Sequence, residues 1–151
     1  MPPETNQIQR FGEYAAAFEK AFASDDFSVI EPYFTDDAVY EVRGGEPFAG
    51  LHEGRDAVFA HLKQSLDGFD RRFDSRELEL AGGPELRDGA VWIGWRGVYR
   101  VGDAELVIEG EETAYFEGNR ISRLVDDFAP GSSEATLSFF QANADKLRPA
   151  D

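Results

Sequence analysis

Carboxylic acids in the last third of the chain are the side chains whose type and spacing best suit acid–base chemistry. Glu112 lies in one predicted strand, and the adjacent residues Asp126 and Asp127 lie in the next. Neighbouring residues of a strand point to opposite faces, so only one aspartate of this pair can approach Glu112. Two close carboxylates cannot both ionise cheaply, so the pKa of one rises and that group can act as a general acid.

The length of the last turn decides which aspartate faces inward. A three-residue turn over residues 117–119 directs Asp126 and Phe128 to the inner face of the sheet. A two-residue turn at Gly118 and Asn119 directs Asp127 there instead. The alternative to a catalytic role is a structural carboxylate, hydrogen-bonded to a tyrosine or tryptophan.

The side on which Glu112 lies follows from strand pairing. Gly102 and Asp103 form a two-residue turn of a type that hairpins favour. One face then receives the pairs Val101–Ala104, Arg100–Glu105, Val98–Val107, Arg96–Glu109 and Trp92–Thr113. The other receives Tyr99–Leu106, Gly97–Ile108, Trp95–Gly110, Ile93–Glu112 and Val91–Ala114. Opposed charges on one face and apolar pairs on the other predict that Glu112 points inward. In a register shifted by one residue, Glu112 joins Glu109 and Glu111 on a solvated face.

Aromatic side chains are predicted around these acids. Tyr40, Trp95 and Tyr99 fall on the inner face, where they can stack on a flat ligand and orient it through OH or NH groups. Core packing is the alternative for these rings, and it is the preferred interpretation for Trp95. A buried tyrosine needs a hydrogen-bond partner, which Glu112 or Asp126 can supply.

The two histidines give a weaker signal. His52 follows the first predicted hairpin, near the expected mouth of a cavity, and can act as acid or base near neutral pH. A bystander role in a surface loop is the alternative. His61 is predicted to be partly exposed on a helix. Neither histidine has a second ligand at metal-binding spacing, so no metal site is predicted.

Apolar periodicity defines the elements that position these residues. The predicted helices cover residues 7–23, 28–34, 53–66 and 132–147, and the predicted strands cover residues 38–43, 47–52, 73–81 and three segments within 91–128. Turns or loops are predicted at residues 35–37 and 81–89. Helices early and strands late predict an α+β domain. A strongly curved antiparallel sheet, with the N-terminal helices across its concave face, leaves a cone-shaped cavity suited to a ligand.

Three parts of the chain follow from this reading. Residues 1–7 are predicted to be a flexible tail, residues 8–130 the cone domain, and residues 131–151 a C-terminal helix and tail packed on the same domain. The first helix is expected to bury one apolar face, formed by Ile8, Phe11, Ala15, Phe18 and Phe22.

Composition limits the partners. Among the 151 residues, thirty acidic and fifteen basic side chains give a net charge of −15. Such a surface repels phosphate backbones and anionic lipids, which argues against nucleic-acid and membrane partners. There is no cysteine, and no apolar run approaches the roughly 20 residues of a membrane span. A cytoplasmic protein that binds a small molecule is the expectation.

Three motifs carry a resemblance to a known family. They are "FASDDFSVIEPYFTDDAVYEV", "PFAGLHEGRDAVFAHL" and "NRISRLVDDFAP". Together they resemble the nuclear transport factor 2-like superfamily, and more narrowly its SnoaL-like branch, which is similar to polyketide cyclases and ketosteroid isomerases. This resemblance implies a cone-shaped pocket, homodimerisation through the outer sheet face and no cofactor.

The resemblance also assigns residues. Alignment with SnoaL-type cyclases places Asp126 at the position of their aspartate on the last strand. Alignment with ketosteroid isomerases places Glu112 at their second acid, Phe18 at their first-helix tyrosine and Val42 at their base. Phe18 and Val42 lack the hydroxyl and carboxylate of the isomerase positions, so the resemblance implies an arrangement closest to the single-acid cyclases.

The sequence thus predicts a cofactor-independent cyclase, isomerase or hydrolase-like enzyme for a small apolar cyclic or polyketide-like compound. Its predicted catalytic residues are Asp126, Glu112 and His52. Its predicted substrate-binding residues are Tyr40, Trp95, Tyr99, Phe18 and Phe128. The alternatives are a non-catalytic ligand-binding module and a dimerising module, in which Trp92, Val98 and Val107 form the contact.

Overall fold

The computed structural model describes residues 3–44 and 49–149, with side chains from residue 7 onward. The α-helices are α1 (Pro3–Ser24), α2 (Arg55–Gly68) and α3 (Ser132–Asn143), and short 3₁₀ helices cover Phe27–Tyr33 and Asp70–Arg72. The strands are β1 (Phe34–Arg43), β2 (Gly50–Glu53), β3 (Ser75–Arg87), β4 (Ala90–Val101), β5 (Ala104–Glu117) and β6 (Arg120–Phe128). The predicted α+β class is confirmed.

The strands form a curved, unclosed sheet with the order β2-β1-β6-β5-β4-β3 in the described residues. The prediction of an antiparallel sheet holds for most neighbours, but β1 and β6 run parallel. Strand β1 is the first strand of the chain and β6 is the last. Their parallel pairing therefore places the first and last strands side by side. The side chains of Tyr40 and Asp126 thereby come from adjacent strands.

The predicted hairpin between β4 and β5 is confirmed residue by residue. Val101 pairs with Ala104 across the two-residue turn, and Ile93 pairs with Glu112 further along. The prediction that Val101 shares the outer face with Arg100 is wrong: Val101 is buried in the core with Tyr99, because neighbouring residues of a strand point to opposite faces. On the outer face, Arg100 donates to Glu105 at 3.0 Å. The cross-strand charge pairs therefore fixed the register correctly, and Glu112 lies on the inner face.

Helix α1 packs one face on the sheet, but that face is rotated from the predicted one. Phe11, Tyr14, Ala17 and Ala21 are buried, whereas Ala15 is exposed. Buried positions separated by three and four residues define the face, as expected for an amphipathic helix. The predicted face contains Ala15, whereas the buried face follows Tyr14, Ala17 and Ala21 along the helix.

Several predicted boundaries differ from the structure. Helix α1 begins at Pro3, so it includes part of the predicted tail. Residues 35–37, predicted as a turn, belong to β1. The predicted loop over residues 81–89 is largely strand, because β3 continues to Arg87 with two irregularities in its pairing to β4. The predicted glycine turn and returning strand of the first hairpin fall partly on residues 45–48, which lie outside the described residues.

Two groups of buried residues hold the helices on the sheet. The first joins α1 and α2 to β1, β5 and β6 around Phe34, which is fully buried and contacts Tyr14 edge-on at 5.3 Å. The second joins α3 to β4 and β5, where Phe140 stacks on Phe69 at 5.7 Å. Within the described ranges, no helix has the length and apolar character needed to cross a bilayer.

Candidate functional site

A cavity of about 460 Å³ lies between the helices and the inner face of the sheet. Most of its wall is apolar, and its large side chains include Phe11, Phe18, Leu62, Ile93, Trp95 and Phe128. Single polar residues such as His61, Ser65 and Thr136 also belong to it, and acidic side chains are grouped in two places. The acid pair Glu112 and Asp126 lies on β5 and β6, and Arg76 on β3 lies with Asp70 and Glu19. A mostly apolar cavity with few converging polar groups is typical of small-molecule sites.

Glu112 and Asp126 occupy directly opposed positions of β5 and β6, and their side chains are hydrogen-bonded to each other. Burial raises the pKa of Glu112 well above its ordinary value, and the charge of Asp126 raises it further. Burial also raises the pKa of Asp126, but its hydrogen bonds with Glu112 and Tyr40 oppose that rise. Glu112 therefore holds the shared proton and donates it to the Asp126 carboxylate.

A β-bulge explains why Asp126 faces inward. Glu117 pairs with Arg120, so the turn has two residues, but Tyr115 pairs with Arg123. Ser122 is thus an extra residue on β6, and its hydroxyl donates to the carbonyl of Tyr115 at 3.3 Å. A bulge of one residue reverses the facing of every later side chain.

Neither turn alternative predicted this combination. The two-residue turn at Gly118 and Asn119 is present, but the inward Asp127 expected from it is wrong. The Asp127 side chain is 51% exposed and lies 3.9 Å from Arg43. Asp126 is 8% exposed and lines the cavity, as the family alignment indicated.

Two tyrosines accompany the acid pair. Tyr40 on β1 donates its hydroxyl to Oδ2 of Asp126, as predicted for a buried tyrosine on this face. Tyr14 on α1 was not predicted as a site residue, but it lines the cavity within electrostatic reach of Glu112 and Asp126. Burial raises the pKa of both tyrosines far above the ordinary value. Both hydroxyls therefore stay protonated and can act only as neutral hydrogen-bond donors or acceptors.

Tyr14 was recognisable from the sequence by its position on α1. It follows Phe11 by three residues and precedes Phe18 by four, so it shares their helix face. Phe18, placed by the alignment at a tyrosine position, lines the cavity but has no polar group. The hydroxyl on this face comes from Tyr14, one turn earlier.

The histidines differ from their predicted roles. His61 is 5% exposed and lines the cavity, so the prediction of a partly exposed helix residue is wrong. His52 does not belong to the described wall of the cavity; its ring stacks on His61 at 3.8 Å. Burial and the charge of His52 lower the pKa of His61 to about 4, so His61 is neutral at neutral pH. Its Nε2 lies 3.3 Å from the Ser65 hydroxyl.

The remaining predicted ligand contacts lie around the cavity. Trp95 and Phe128 meet edge to face at 5.4 Å and form one part of the wall. Tyr99 is 6% exposed, lines the cavity and packs edge-on against Phe69 at 4.8 Å. The rings of Trp95 and Tyr99 thus serve both the core and the cavity wall.

The second group of charged side chains in the cavity wall, Arg76 with Asp70 and Glu19, forms close ion pairs. Arg76 donates from Nε to Asp70 at 2.7 Å and from Nη1 to Glu19 at 2.8 Å. Burial raises the pKa of Asp70, although the charge of Arg76 opposes this. The sequence did not indicate this cluster, because its members come from β3, a 3₁₀ helix and α1. Among the described residues, no group of three or more histidine, aspartate or glutamate side chains could hold a metal ion.

Comparison with known proteins confirms the resemblance inferred from the motifs. A family model described as a SnoaL-like domain matches residues 14–124. No curated protein matches the sequence. Among solved structures, Bal32a from a soil-derived mobile gene cassette is similar with a TM-score of 0.68 and 20% identity, covering 89% of this chain and 98% of that chain.

Two further structures are similar at lower identity. An NTF2-like protein from Anabaena variabilis ATCC 29413 has a TM-score of 0.65 and 13% identity, covering 85% of this chain and 92% of that chain. TerC, co-crystallised with polyporic acid, has a TM-score of 0.60 and 14% identity, covering 87% of this chain and 96% of that chain. At these identities the structural likeness establishes the fold alone.

Proposed function

The chain belongs to the SnoaL-like domain family, and we propose that its cavity binds a small, mostly apolar cyclic or polyketide-like compound and transforms it by cofactor-free acid–base chemistry. The observation that carries this proposal is the hydrogen-bonded pair of Glu112 and Asp126 in an apolar wall. Proton transfer requires one group that gives a proton and one that accepts it. A protonated acid beside an ionised acid supplies both groups.

The roles of the pair follow from their environments. Asp126 is the base, because the hydrogen bonds from Tyr40 and Glu112 stabilise its charged form. Glu112 is the acid, because burial and the charge beside it keep it protonated. A carboxylate offers about four lone-pair sites, so Asp126 keeps acceptor capacity for a substrate proton beyond its two bonds.

A balanced reaction uses both residues. Asp126 takes a proton from an acidic C–H or O–H bond of the substrate, and Glu112 gives its proton to the oxygen on which negative charge develops. The substrate then rearranges or closes a ring without net gain or loss of protons. Transfer of the proton from Asp126 to Glu112 along their hydrogen bond restores the starting state.

The position of Asp126 supports this assignment. Val42 stands where the alignment with ketosteroid isomerases expects a base, and it cannot move a proton. Asp126 is the parallel partner of Val42 on the adjacent strand, so a carboxylate approaches the same part of the cavity from β6. The neutral hydroxyl of Tyr14 is available for a developing oxyanion.

A paired variant tests the proposal. Asp126→Asn and its outward neighbour Asp127→Asn remove the same charge from the same strand. We expect the first to lower turnover by at least a hundredfold and the second to leave it within about twofold. The substrate comes from screening polyketide-like and phenolic ring compounds, with polyporic acid among the first because it was crystallised with a structural neighbour. Equal activity of the two variants would show that Asp126 is not the base.

A non-catalytic binding module is the second candidate. The hydrogen bonds from Tyr40 and Glu112 also satisfy Asp126 as a structural carboxylate, which favours this alternative. Compounds that raise the unfolding temperature without being converted, across the whole screen, would establish binding and rule out catalysis.

Homodimerisation through the outer sheet face is a separate proposal. That face carries paired charges, with Arg96 bonded to Glu79 and Arg100 to Glu77 and Glu105 around the buried Val98. Its rows of alternating charge are complementary to a second copy of themselves. A solution mass that stays monomeric at high protein concentration would overturn this proposal.

A further inference from the structure

The Arg76 cluster in the cavity wall has no part in the proposed proton transfer. The Arg76 side chain is 6% exposed and lines the cavity together with Asp70 and Glu19. Buried charges are costly, and a buried ion pair is weak as a source of stability. A charged group at the wall of an otherwise apolar cavity therefore needs a further explanation.

Arg76 keeps hydrogen-bonding capacity after pairing. Its Nε and Nη1 atoms donate to Asp70 and Glu19, and the ring of Phe22 lies 4.3 Å from its Cζ atom. In the part of the chain that the structure describes, its Nη2 group has no hydrogen-bond acceptor. A guanidinium has five N–H donors in a fixed plane, so the two ion pairs orient the remaining donors.

Strand register separates this cluster from the acid pair. Arg76 pairs with Tyr99 on β4, whereas Glu112 pairs with Ile93 on the same strand. Six residues of strand correspond to about 20 Å along its axis. Tyr99, beside Arg76, and Ile93, beside Glu112, both line the cavity, so the cavity extends along β4 from one place to the other.

We propose that Arg76, held by Asp70 and Glu19, is a second binding subsite that anchors a neutral oxygen of the ligand, a carbonyl or hydroxyl group distant from the reacting centre. The ligand is then an apolar ring compound with oxygens at two ends, one at the acid pair and one at Arg76. This proposal rests on the cavity being a ligand site and not on the chemistry proposed for it.

The charges around the cavity select a neutral oxygen over a carboxylate. Two carboxylates already balance Arg76, and its side chain is the single guanidinium among the described wall residues. Five acidic residues belong to the same wall, namely Glu19, Asp70, Glu79, Glu112 and Asp126, although the Glu79 carboxylate is bonded to Arg96. An anionic ligand would meet more negative than positive charge, whereas a carbonyl needs only the free donor of Arg76.

Matched probes test this subsite through their dissociation constants. 2-Acetylphenanthrene, its 2-isopropenyl isostere and phenanthrene-2-carboxylate differ in a carbonyl, a methylene and a carboxylate at one position. We expect the unaltered chain to bind the ketone about tenfold more tightly than the alkene, and the carboxylate more weakly than the ketone. Equal binding of the ketone and the alkene would overturn the proposal.

Variants locate the preference. Arg76→Lys keeps a cation beside Asp70 but loses the oriented fork, so the advantage of the ketone should fall to within about twofold. Arg96→Lys is the matched control on the outer face and should keep the full advantage. Retention of the advantage in Arg76→Lys, or its loss only in Asp126→Asn, would place the carbonyl at the acid pair and overturn the subsite.

A milder variant covers the case in which Arg76→Lys does not fold. The Glu19 side chain is 52% exposed, and Glu19→Gln leaves the bond between Arg76 and Asp70 intact. Removing this negative charge should improve binding of the carboxylate probe severalfold and change binding of the alkene little. No gain for the carboxylate would overturn the charge selection. The dissociation constants are independent of turnover, so failure of the acid–base proposal would appear separately, as unaltered activity of Asp126→Asn.

Discussion

The Glu112 and Asp126 side chains meet across β5 and β6 because a single extra residue, Ser122, corrects the facing of the last strand. Without this bulge, the two-residue turn would place Val125 opposite Glu112 and direct Asp127 inward. The acid pair therefore depends on a local irregularity of the backbone as well as on the identity of its residues. Bulges near functional sites commonly aim a side chain in this way.

Deletion of a residue at the bulge and insertion of one there are expected to have different effects on the direction of the Asp126 side chain. Deletion of Ser122 leaves the pair of Ile121 with Phe116 and the pair of Arg123 with Tyr115 unchanged, so the alternation becomes regular and Asp126 still faces the cavity. Insertion of a second serine beside Ser122 requires a larger bulge or a register shift that points Asp126 outward. We expect the deletion to fold and keep ligand binding, and the insertion to lose binding. Ligand-dependent shifts of the unfolding temperature measure both, and equal behaviour of the two variants would contradict the bulge account.

The hydroxyl of Tyr40 is expected to set the pH at which Asp126 works. Its hydrogen bond favours the charged form of Asp126, so Tyr40→Phe should raise the pKa of that carboxyl. A smaller fraction of Asp126 is then ionised at a given pH, and the acid limb of the rate profile moves to higher pH. Tyr115→Phe, which removes an exposed hydroxyl from the same sheet, should leave the profile unchanged. A shift to lower pH in Tyr40→Phe would reverse the role assigned to the bond.

The inward side of one acid, Glu112, could be predicted from the sequence because the information for it is local. The hairpin of β4 and β5 is fixed by charge pairs only a few residues from its turn, such as Arg100 with Glu105. The inward side of Glu112 followed directly from that register. For Asp126, turn length alone was insufficient, because Ser122 is chemically unremarkable and its bulge is stabilised by contacts of the folded sheet.

The other site residues that the sequence did not reveal have separate explanations. Tyr14 was overlooked because the predicted face of α1 contains Ala15 in its place, although its spacing from Phe11 and Phe18 identified it. Arg76 was beyond prediction, since its partners Asp70 and Glu19 reach it through tertiary contacts between β3, a 3₁₀ helix and α1. The burial of His61 likewise depends on how α2 lies against β1 and β2.

The raised pKa of Glu112 predicts a pH dependence of stability. Above a pH of about 4.5, Glu112 ionises in the unfolded chain but keeps its proton in the folded one. The native state then binds more protons, so the free energy of unfolding falls as pH rises, by at most about 1.4 kcal/mol per pH unit for one group. Glu112→Gln removes this penalty, so its stability relative to the unaltered chain should increase from pH 4.5 to pH 8. Urea unfolding at several pH values measures it, and a constant difference would contradict the shifted pKa.

His61 gives the opposite slope between pH 4 and pH 6.5, a window that overlaps the lower part of the Glu112 range. Its pKa is about 4 in the folded chain and about 6.5 when unfolded, so between these values only the unfolded state gains the proton. The stability that a neutral His61 provides is complete above pH 6.5 and is lost as pH falls to about 4, to a total of up to about 3 kcal/mol. The chain has two histidines, so ring-proton NMR with a His52→Gln variant for assignment can follow His61 directly. A midpoint near 6.5 would show that His61 is hydrated in the cavity.

Packing at Gly110 should control the shape of the cavity through Trp95. A Cβ atom at Gly110 would lie 2.7 Å from Cζ2 of Trp95 and 2.9 Å from the carbonyl oxygen of Asp127, so the indole must move. Gly110→Ala should therefore destabilise the chain by about 1–3 kcal/mol and weaken ligand binding, because Trp95 and Phe128 form one part of the wall. Gly12→Ala is the matched control: nothing lies within 4 Å of its added Cβ atom inside α1, and the change should stabilise the chain by about 0.5–1 kcal/mol. Opposite shifts of the unfolding temperature are expected for the two variants. If Gly110→Ala binds ligand like the unaltered chain, the position of Trp95 has no influence on the cavity.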